Sequence, residues 1–167
     1  VGGTSHSGLI TEHVMTDLTQ ATPNDFADLL TGCDTIFHLA ARTHMLNASP
    51  QAYERINVGV TTQLAQAAMS AGVKHFVFVS SVKAIGEQTK TTPFSPETPE
   101  QPEDQYGRTK LQAEQLLQMR AQDKAFEFSI VRPPLIYGAG APGNLARLIR
   151  LVQRRIPLPF ASISNRR

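Results

Sequence analysis

The sequence predicts an α/β fold, a doubly wound and mostly parallel sheet with helices on both faces. Two observations predict it. Short apolar runs alternate along the chain with longer stretches of helical periodicity, an order that requires parallel strands joined by crossover helices. The run Phe76-Val77-Phe78-Val79 lacks polar alternation, as a strand covered on both faces should.

The elements follow in order. Leu9 to Met15 holds a short strand, with Asp17 at its end. Pro23 to Leu30 is a short helix, because Thr22 stands where a side-chain cap is needed and Pro23 suits the first helical position. Thr35 to Ala40 is a compact apolar strand. The helix from about Pro50 to Ala71 presents Ile56, Val60, Leu64, Ala67 and Ala68 every three to four residues. Gly59 is where it kinks or loses register, and Gly72 ends it. Val73 to Ser80 is the central strand. Pro93, Pro96, Pro99 and Pro102 then oppose both helix and central strand, so that stretch is loop. Tyr106 to Ala121 restores helical periodicity through Leu111, Leu116 and Leu117. Phe126 to Val131 is a strand that Arg132-Pro133-Pro134 stops, and Asn144 to Val152 is a last helix. In sheets of this kind ligands sit beyond the carboxyl ends of the strands. Those ends carry Leu39-Ala40-Ala41, Ser80-Ser81 and Arg132-Pro133-Pro134.

Composition narrows the function classes. Hydrophobic residues at 41% and charged residues at 18% fit a globular chain. No stretch approaches the roughly 20 apolar residues of a membrane span. The single Cys33 excludes an internal disulfide and fits a reducing cytoplasm, the compartment expected. Residues 1–131 carry nine Lys/Arg against fourteen Asp/Glu, a balance of −5, whereas residues 132–167 carry seven Arg and no acid. Separated arginines suit a phosphorylated small molecule. A nucleic-acid partner is not expected, since recognition-helix, zinc-spacing and aromatic-interleaved basic patterns are missing. No metal is expected either: His6 and His13 have no Cys or carboxylate cluster beside them.

Ser81, Tyr106 and Lys110 carry the chemistry. A Tyr and a Lys four residues apart share one helix face, and an ammonium near a phenol favours the phenolate. A serine at the end of the central strand can donate a hydrogen bond to the same substrate oxygen. Such a set can take a proton from an alcohol while hydride leaves its carbon. By itself the spacing is weak, because many surface helices place Tyr and Lys one turn apart. His38 reads as a packed core histidine, Asn57 as a structural hydrogen-bonding residue, and Arg147, Arg150, Arg154 and Arg155 equally as a solvated helix face or an anion-binding one.

Six ordered blocks raise the specificity. They are Ile36-Phe37-His38-Leu39-Ala40-Ala41, Asn57-Val58-Gly59-Val60-Thr61, Phe76 to Ser81, Tyr106-Gly107-Arg108-Thr109-Lys110, Arg132 to Gly138, and, before these, Asp17-Leu18-Thr19. From Asp17 onward the chain resembles the extended short-chain dehydrogenase/reductase family, in its nucleotide-sugar epimerase/dehydratase branch. The resemblance implies a Rossmann-like domain and NAD, with NADP as the other option. It implies that Tyr106 is the acid/base, that Lys110 holds the nicotinamide ribose and lowers the tyrosine pKa, and that Ser81 binds the reacting hydroxyl. It places Asp17 at the adenine end of the cofactor, Leu39, Ala40 and Ala41 along its diphosphate and ribose, Ser80 on the cofactor side, and Pro133 near the nicotinamide. Substrate contacts fall to Ser81, Lys83, Tyr106, Asn144 and Arg166.

The resemblance also divides the chain into a partial dinucleotide-binding domain over 1–143 and the start of a substrate-binding region over 144–167. Val1 to Gly8 does not match the family's glycine-rich turn, so the expected fold lacks the N-terminal glycine-rich unit. A chain of this extent is then expected to bind dinucleotide weakly and to be catalytically incomplete. The implied activity is UDP-glucose or UDP-N-acetylglucosamine 4-epimerisation through a 4-keto intermediate. A 4-reductase acting on a UDP-4-keto-6-deoxyhexose and a catalytically silent nucleotide-binding regulator are the alternatives. Val82-Lys83 stands where sugar 4,6-dehydratases carry Asp-Glu, which disfavours dehydration. A UDP-sugar is the implied partner, and a homodimer is left open.

Overall fold

The computed structural model describes residues 14–43, 49–89, 92–120, 126–136, 138 and 144–158. Three strands, β1 (Thr35–His38), β2 (His75–Val79) and β3 (Glu127–Val131), pair in parallel in the order β1-β2-β3. Ile36 lies beside Phe76, and Phe76 beside Phe128. The ladder continues past β2, where Ser80 N–H donates to the Val131 carbonyl at 2.8 Å and Val82 N–H to the Pro133 carbonyl at 3.0 Å. That continuation holds the Ser80-Ser81 step against Arg132-Pro133.

The helices follow the periodicity. α1 (Pro23–Leu30) opens with the expected Thr22 cap, whose side chain accepts from Asp25 N–H while Asp25 accepts from Thr22 N–H. The expected long helix is α2 (Pro50–Tyr53), then π-helical turns over Glu54–Val60, then α3 (Thr61–Ser70), with helical backbone at each junction. The change of register takes in Gly59, as the sequence predicts. Gly72 follows at φ +74°, the left-handed conformation that closes helices. α4 (Gln105–Arg120) and α5 (Asn144–Gln153) complete the set. The proline-rich segment is loop throughout its described residues. Of the expected strand at Leu9 to Met15, Val14 and Met15 are described and form no strand, while the rest lies outside the described residues.

One continuous core joins Phe26 and Leu30 of α1, Leu64, Ala65 and Ala68 of α3, Ala113 and Leu117 of α4, and Phe76 and Phe78 of β2. Full burial of each phenylalanine contributes on the order of 1.5–3 kcal/mol. Among the described residues, α1, α3 and α4 pack on this one face of the sheet. The other face, with Phe37 67% and Val131 46% exposed, carries no described helix. The parallel α/β architecture is as the sequence predicts; the covering of both faces is not seen within the described residues.

Candidate active site

The site begins where β2 ends. Ser81 remains extended after the strand, and its Oγ accepts the Lys83 N–H at 3.2 Å, closing a 3₁₀ turn over Val82–Ala84. That turn packs on the first turn of α4. Asp104 stands just before the helix, its Oδ1 accepting the Gly107 N–H at 2.6 Å and its carbonyl the Arg108 N–H at 3.0 Å, so it acts as the N-cap. A Cβ on Gly107 would lie 2.3 Å from the Lys83 carbonyl oxygen. Only glycine lets the helix approach the turn this closely. The approach brings Tyr106, the residue before it, beside Ser81, whose hydroxyl acts on the phenol.

Burial pushes the Tyr106 phenol above its ordinary pKa, the hydrogen bond to Ser81 opposes that, Asp104 raises it further and Lys83 lowers it. Lys110 sits one turn along α4 with 1% of its surface exposed. Its Nζ donates to the Val79 carbonyl at 2.7 Å and lies 4.3 Å from the centre of the Phe78 ring. Burial holds this ammonium down at about pKa 8, with Glu114 opposing the shift. The three residues singled out from the sequence therefore gather at the carboxyl end of β2. The Lys110 ammonium is directed to the strand carbonyl, and Lys83 is the cation that lowers the Tyr106 pKa in this structure.

The neighbouring serine has another surrounding. Ser80, 3% exposed, donates its hydroxyl to Glu114, which is 1% exposed. Arg132 meets the same carboxylate through Nε at 3.1 and 3.0 Å and through a terminal nitrogen at 2.5 Å, and bonds Glu100 of the proline-rich loop at 3.0 Å. The Ser80 hydroxyl thus ties the strand end to α4.

The other expected residues are distributed as follows. Asp17 is exposed, and its Oδ1 accepts from Thr19 N–H at 2.9 Å and Thr19 Oγ1 at 2.8 Å, which lowers its pKa. Leu39 and Ala40 are exposed and Ala41 half-buried just beyond β1, and Pro133 is half-buried beyond β3. Lys83, one of the expected substrate contacts, bonds Glu87 and Asp104, each at 2.8 Å. Asn144 begins α5; Arg166 lies outside the described residues. His38 is buried as expected, stacked on Phe78 and bonded to Thr61 at 2.9 Å, and burial, aided by Lys110, lowers its pKa to about 4. Asn57 is a clamp: its amide bonds both backbone groups of Arg42, at 2.7 and 3.1 Å, and Thr109 Oγ1 of α4 at 3.0 Å. The sequence reading missed Asp104, Glu114 and Arg42. An acid directly before a helical run signals a cap and would have found Asp104. Among the described residues no group of His, Cys, Asp and Glu could hold a metal ion, and no helix is long and apolar enough to cross a membrane.

Comparison with known proteins matches residues 4–160 to the NAD dependent epimerase/dehydratase family. The chain belongs to that family. Within the epimerase/dehydratase family it is 42% identical over 146 residues to a UDP-glucose 4-epimerase of Vibrio cholerae, covering 84% of this chain and 44% of that protein. A UDP-glucuronic acid 4-epimerase of Bacillus cereus, solved in complex with NAD, superposes with a TM-score of 0.74 at 27% identity, over 87% of this chain and 46% of that one. A protein described as RMD from Pseudomonas aeruginosa, solved with NADPH, gives 0.72 at 25% identity over 86% and 51%. The chain thus spans about half the length of the family members it matches.

Proposed function

We propose that the protein in its natural full length is an NAD-dependent nucleotide-sugar 4-epimerase, acting on UDP-glucose or UDP-N-acetylglucosamine. The observation that carries this reading is the meeting of Ser81 and Tyr106 at the carboxyl end of β2, where the Lys83 carbonyl lies against Gly107, with Lys110 held on the last carbonyl of the same strand. The Vibrio cholerae relative supports the reaction class.

The residues present fit a dinucleotide. The small Ala40 and Ala41 beyond β1 leave room for close approach, and the Arg42 side chain next to them has a buried Nε with no acceptor among the described residues. A buried donor of that kind calls for an anion or carbonyl. Ala40, Ala41 and Pro133 would line the cofactor, and Lys110 would hold the nicotinamide ribose. NAD is the cofactor proposed, with NADP as the other option. Once bound, it supplies hydride acceptance and return at the sugar C4.

The chain's own groups handle the oxygen. Ser81 Oγ donates to O4, and Tyr106 Oη takes the O4 proton as the alcohol becomes a ketone and returns it when the ketone is reduced. A second reading is an NAD(P)H-dependent 4-reductase of a UDP-4-keto-6-deoxyhexose, which would use the same groups, with Tyr106 Oη giving its proton to O4 as the ketone is reduced. Dehydration is disfavoured, because Lys83, tied to Asp104 and Glu87, stands where the resemblance would require a carboxylate.

Product analysis by NMR on the full-length protein tests the proposal. A 4-epimer formed from a UDP-hexose without consumption of reduced cofactor is expected, and Tyr106→Phe should lose about 10²–10⁴-fold in turnover. Stoichiometric NADPH consumption with a 4-keto sugar, and no epimer from any UDP-hexose, would overturn epimerisation in favour of the reductase.

A further inference from the structure

Lys83 and Asp104 lie on either side of the Ser81–Tyr106 pair. Lys83 belongs to the 3₁₀ turn that begins at Ser81 and donates its backbone N–H to Ser81 Oγ at 3.2 Å. Asp104 precedes α4 and caps it through the Gly107 N–H at 2.6 Å with one carboxylate oxygen. Its other oxygen accepts the Lys83 ammonium at 2.8 Å. A single carboxylate therefore joins the turn carrying Ser81 to the helix carrying Tyr106, and the Lys83 carbonyl resting against Gly107 leaves the joint no slack.

We infer that the Lys83–Asp104 pair is a positioning device that fixes Tyr106 against Ser81 and sets the net charge facing the phenol. The inference deepens the proposed oxidoreductase chemistry and rests on Tyr106 being its acid/base. Neither residue touches substrate in this role. Among the described residues, the charged groups that act on the phenol are Asp104 from the approach to α4 and Lys83 from the 3₁₀ turn, with Glu87 on the far side of Lys83; Lys110 stands one helical turn along α4, on the Val79 carbonyl. The two members of the pair act on the phenol in opposite senses, Asp104 raising its pKa and Lys83 lowering it. Lys83 and Asp104 are only part-buried, at 28% and 27% side-chain exposure, so solvent screens the effect and its size is moderate.

Titration of tyrosine Cζ carbons by carbon-13 NMR in the full-length protein without substrate tests this directly, with Tyr106→Phe identifying the Tyr106 signal among those of the other tyrosines. Asp104→Asn keeps a capping side chain and is expected to lower the Tyr106 midpoint by roughly half to one unit. Lys83→Met is expected to raise it by a similar amount, and Lys83→Arg to return it to the wild-type position. The double variant should lie between the two single ones. Shifts of the same sign, or no shift in either variant, would overturn the inference. If Lys83→Met does not fold, Asp104→Asn and Lys83→Arg decide alone. Because the titration needs no turnover, opposed shifts in a protein that neither epimerises nor reduces a sugar nucleotide would uphold the tie and reject the proposed activity.

Discussion

Ser80 and Ser81 are neighbours in sequence, yet their side chains serve opposite kinds of environment. Ser80 faces a closed set of partners, in which Glu114 is buried and fully engaged by the serine and Arg132. Ser81 faces Tyr106 and the part-exposed pair of Lys83 and Asp104. Strand geometry explains the divergence, since successive side chains leave an extended backbone on opposite sides. The difference teaches which charges can respond to solvent. A carboxylate held by a fork of arginine nitrogens away from water is a fixed strut, whereas an ion pair open to water leaves the phenol beside it adjustable.

The sharpest way to break this comparison is at the strut. Glu114→Ala leaves Arg132 without its buried counter-charge and Ser80 without its acceptor, and removing one member of such a pair costs about 3–5 kcal/mol. Chemical denaturation should show that loss, and a variant within 1 kcal/mol of wild type would mean the network is not a strut. On the other side, Ser81→Ala is expected to change stability by less than about 1 kcal/mol while turnover of the full-length protein falls on the order of 10²–10³-fold, as for loss of one oxyanion donor. Equal losses of stability at the two serines would erase the distinction.

Lys110 supplies the smallest and most diagnostic effect. Its folded pKa of about 8 lies below that of an unfolded lysine, so between about pH 8 and 10.4 the unfolded chain binds a proton that the folded chain has released. This group therefore makes stability rise with pH across that window, and its charged form costs stability below it. Lys110→Met should be more stable than wild type near neutral pH by on the order of 2 kcal/mol and should lose the rise. Denaturation midpoints at several pH values measure this; a destabilised variant with an unchanged slope would show that the ammonium's contacts with the Val79 carbonyl and Phe78 ring outweigh its desolvation.

Much of this arrangement was legible in the sequence because its determinants are local. Thr22 and Pro23 mark the start of α1, the apolar run at Phe76 marks β2, and four prolines mark the loop that follows the 3₁₀ turn. The gathering of Ser81, Tyr106 and Lys110 was reached through strand-end and helix-face placement, with the family resemblance choosing Ser81 over Ser80. What stayed hidden depends on distance along the chain. Glu114 meets Arg132 eighteen residues on, Lys83 meets Asp104 across twenty-one, and no periodicity ties such positions together. The Lys110 ammonium is assigned to the phenol by helix spacing and by the family resemblance, and the carbonyl that it meets in the structure belongs to a strand thirty-one residues earlier.

The π-helical turns at Glu54–Val60 place Asn57 where one amide grips both Arg42 and Thr109. A π turn closes its hydrogen bonds one residue further along than an α turn. The wide turn thus stores one residue more than an ordinary helix of the same rise, and removing a residue there would let the segment relax to α-helix with the turns on either side keeping nearly their present phase. What such a deletion takes away is the turn that aims Asn57: substitutions on the outer surface of the segment leave the clamp in place, whereas a one-codon deletion at the clamp uncouples the stretch after β1 from the helix that carries Tyr106.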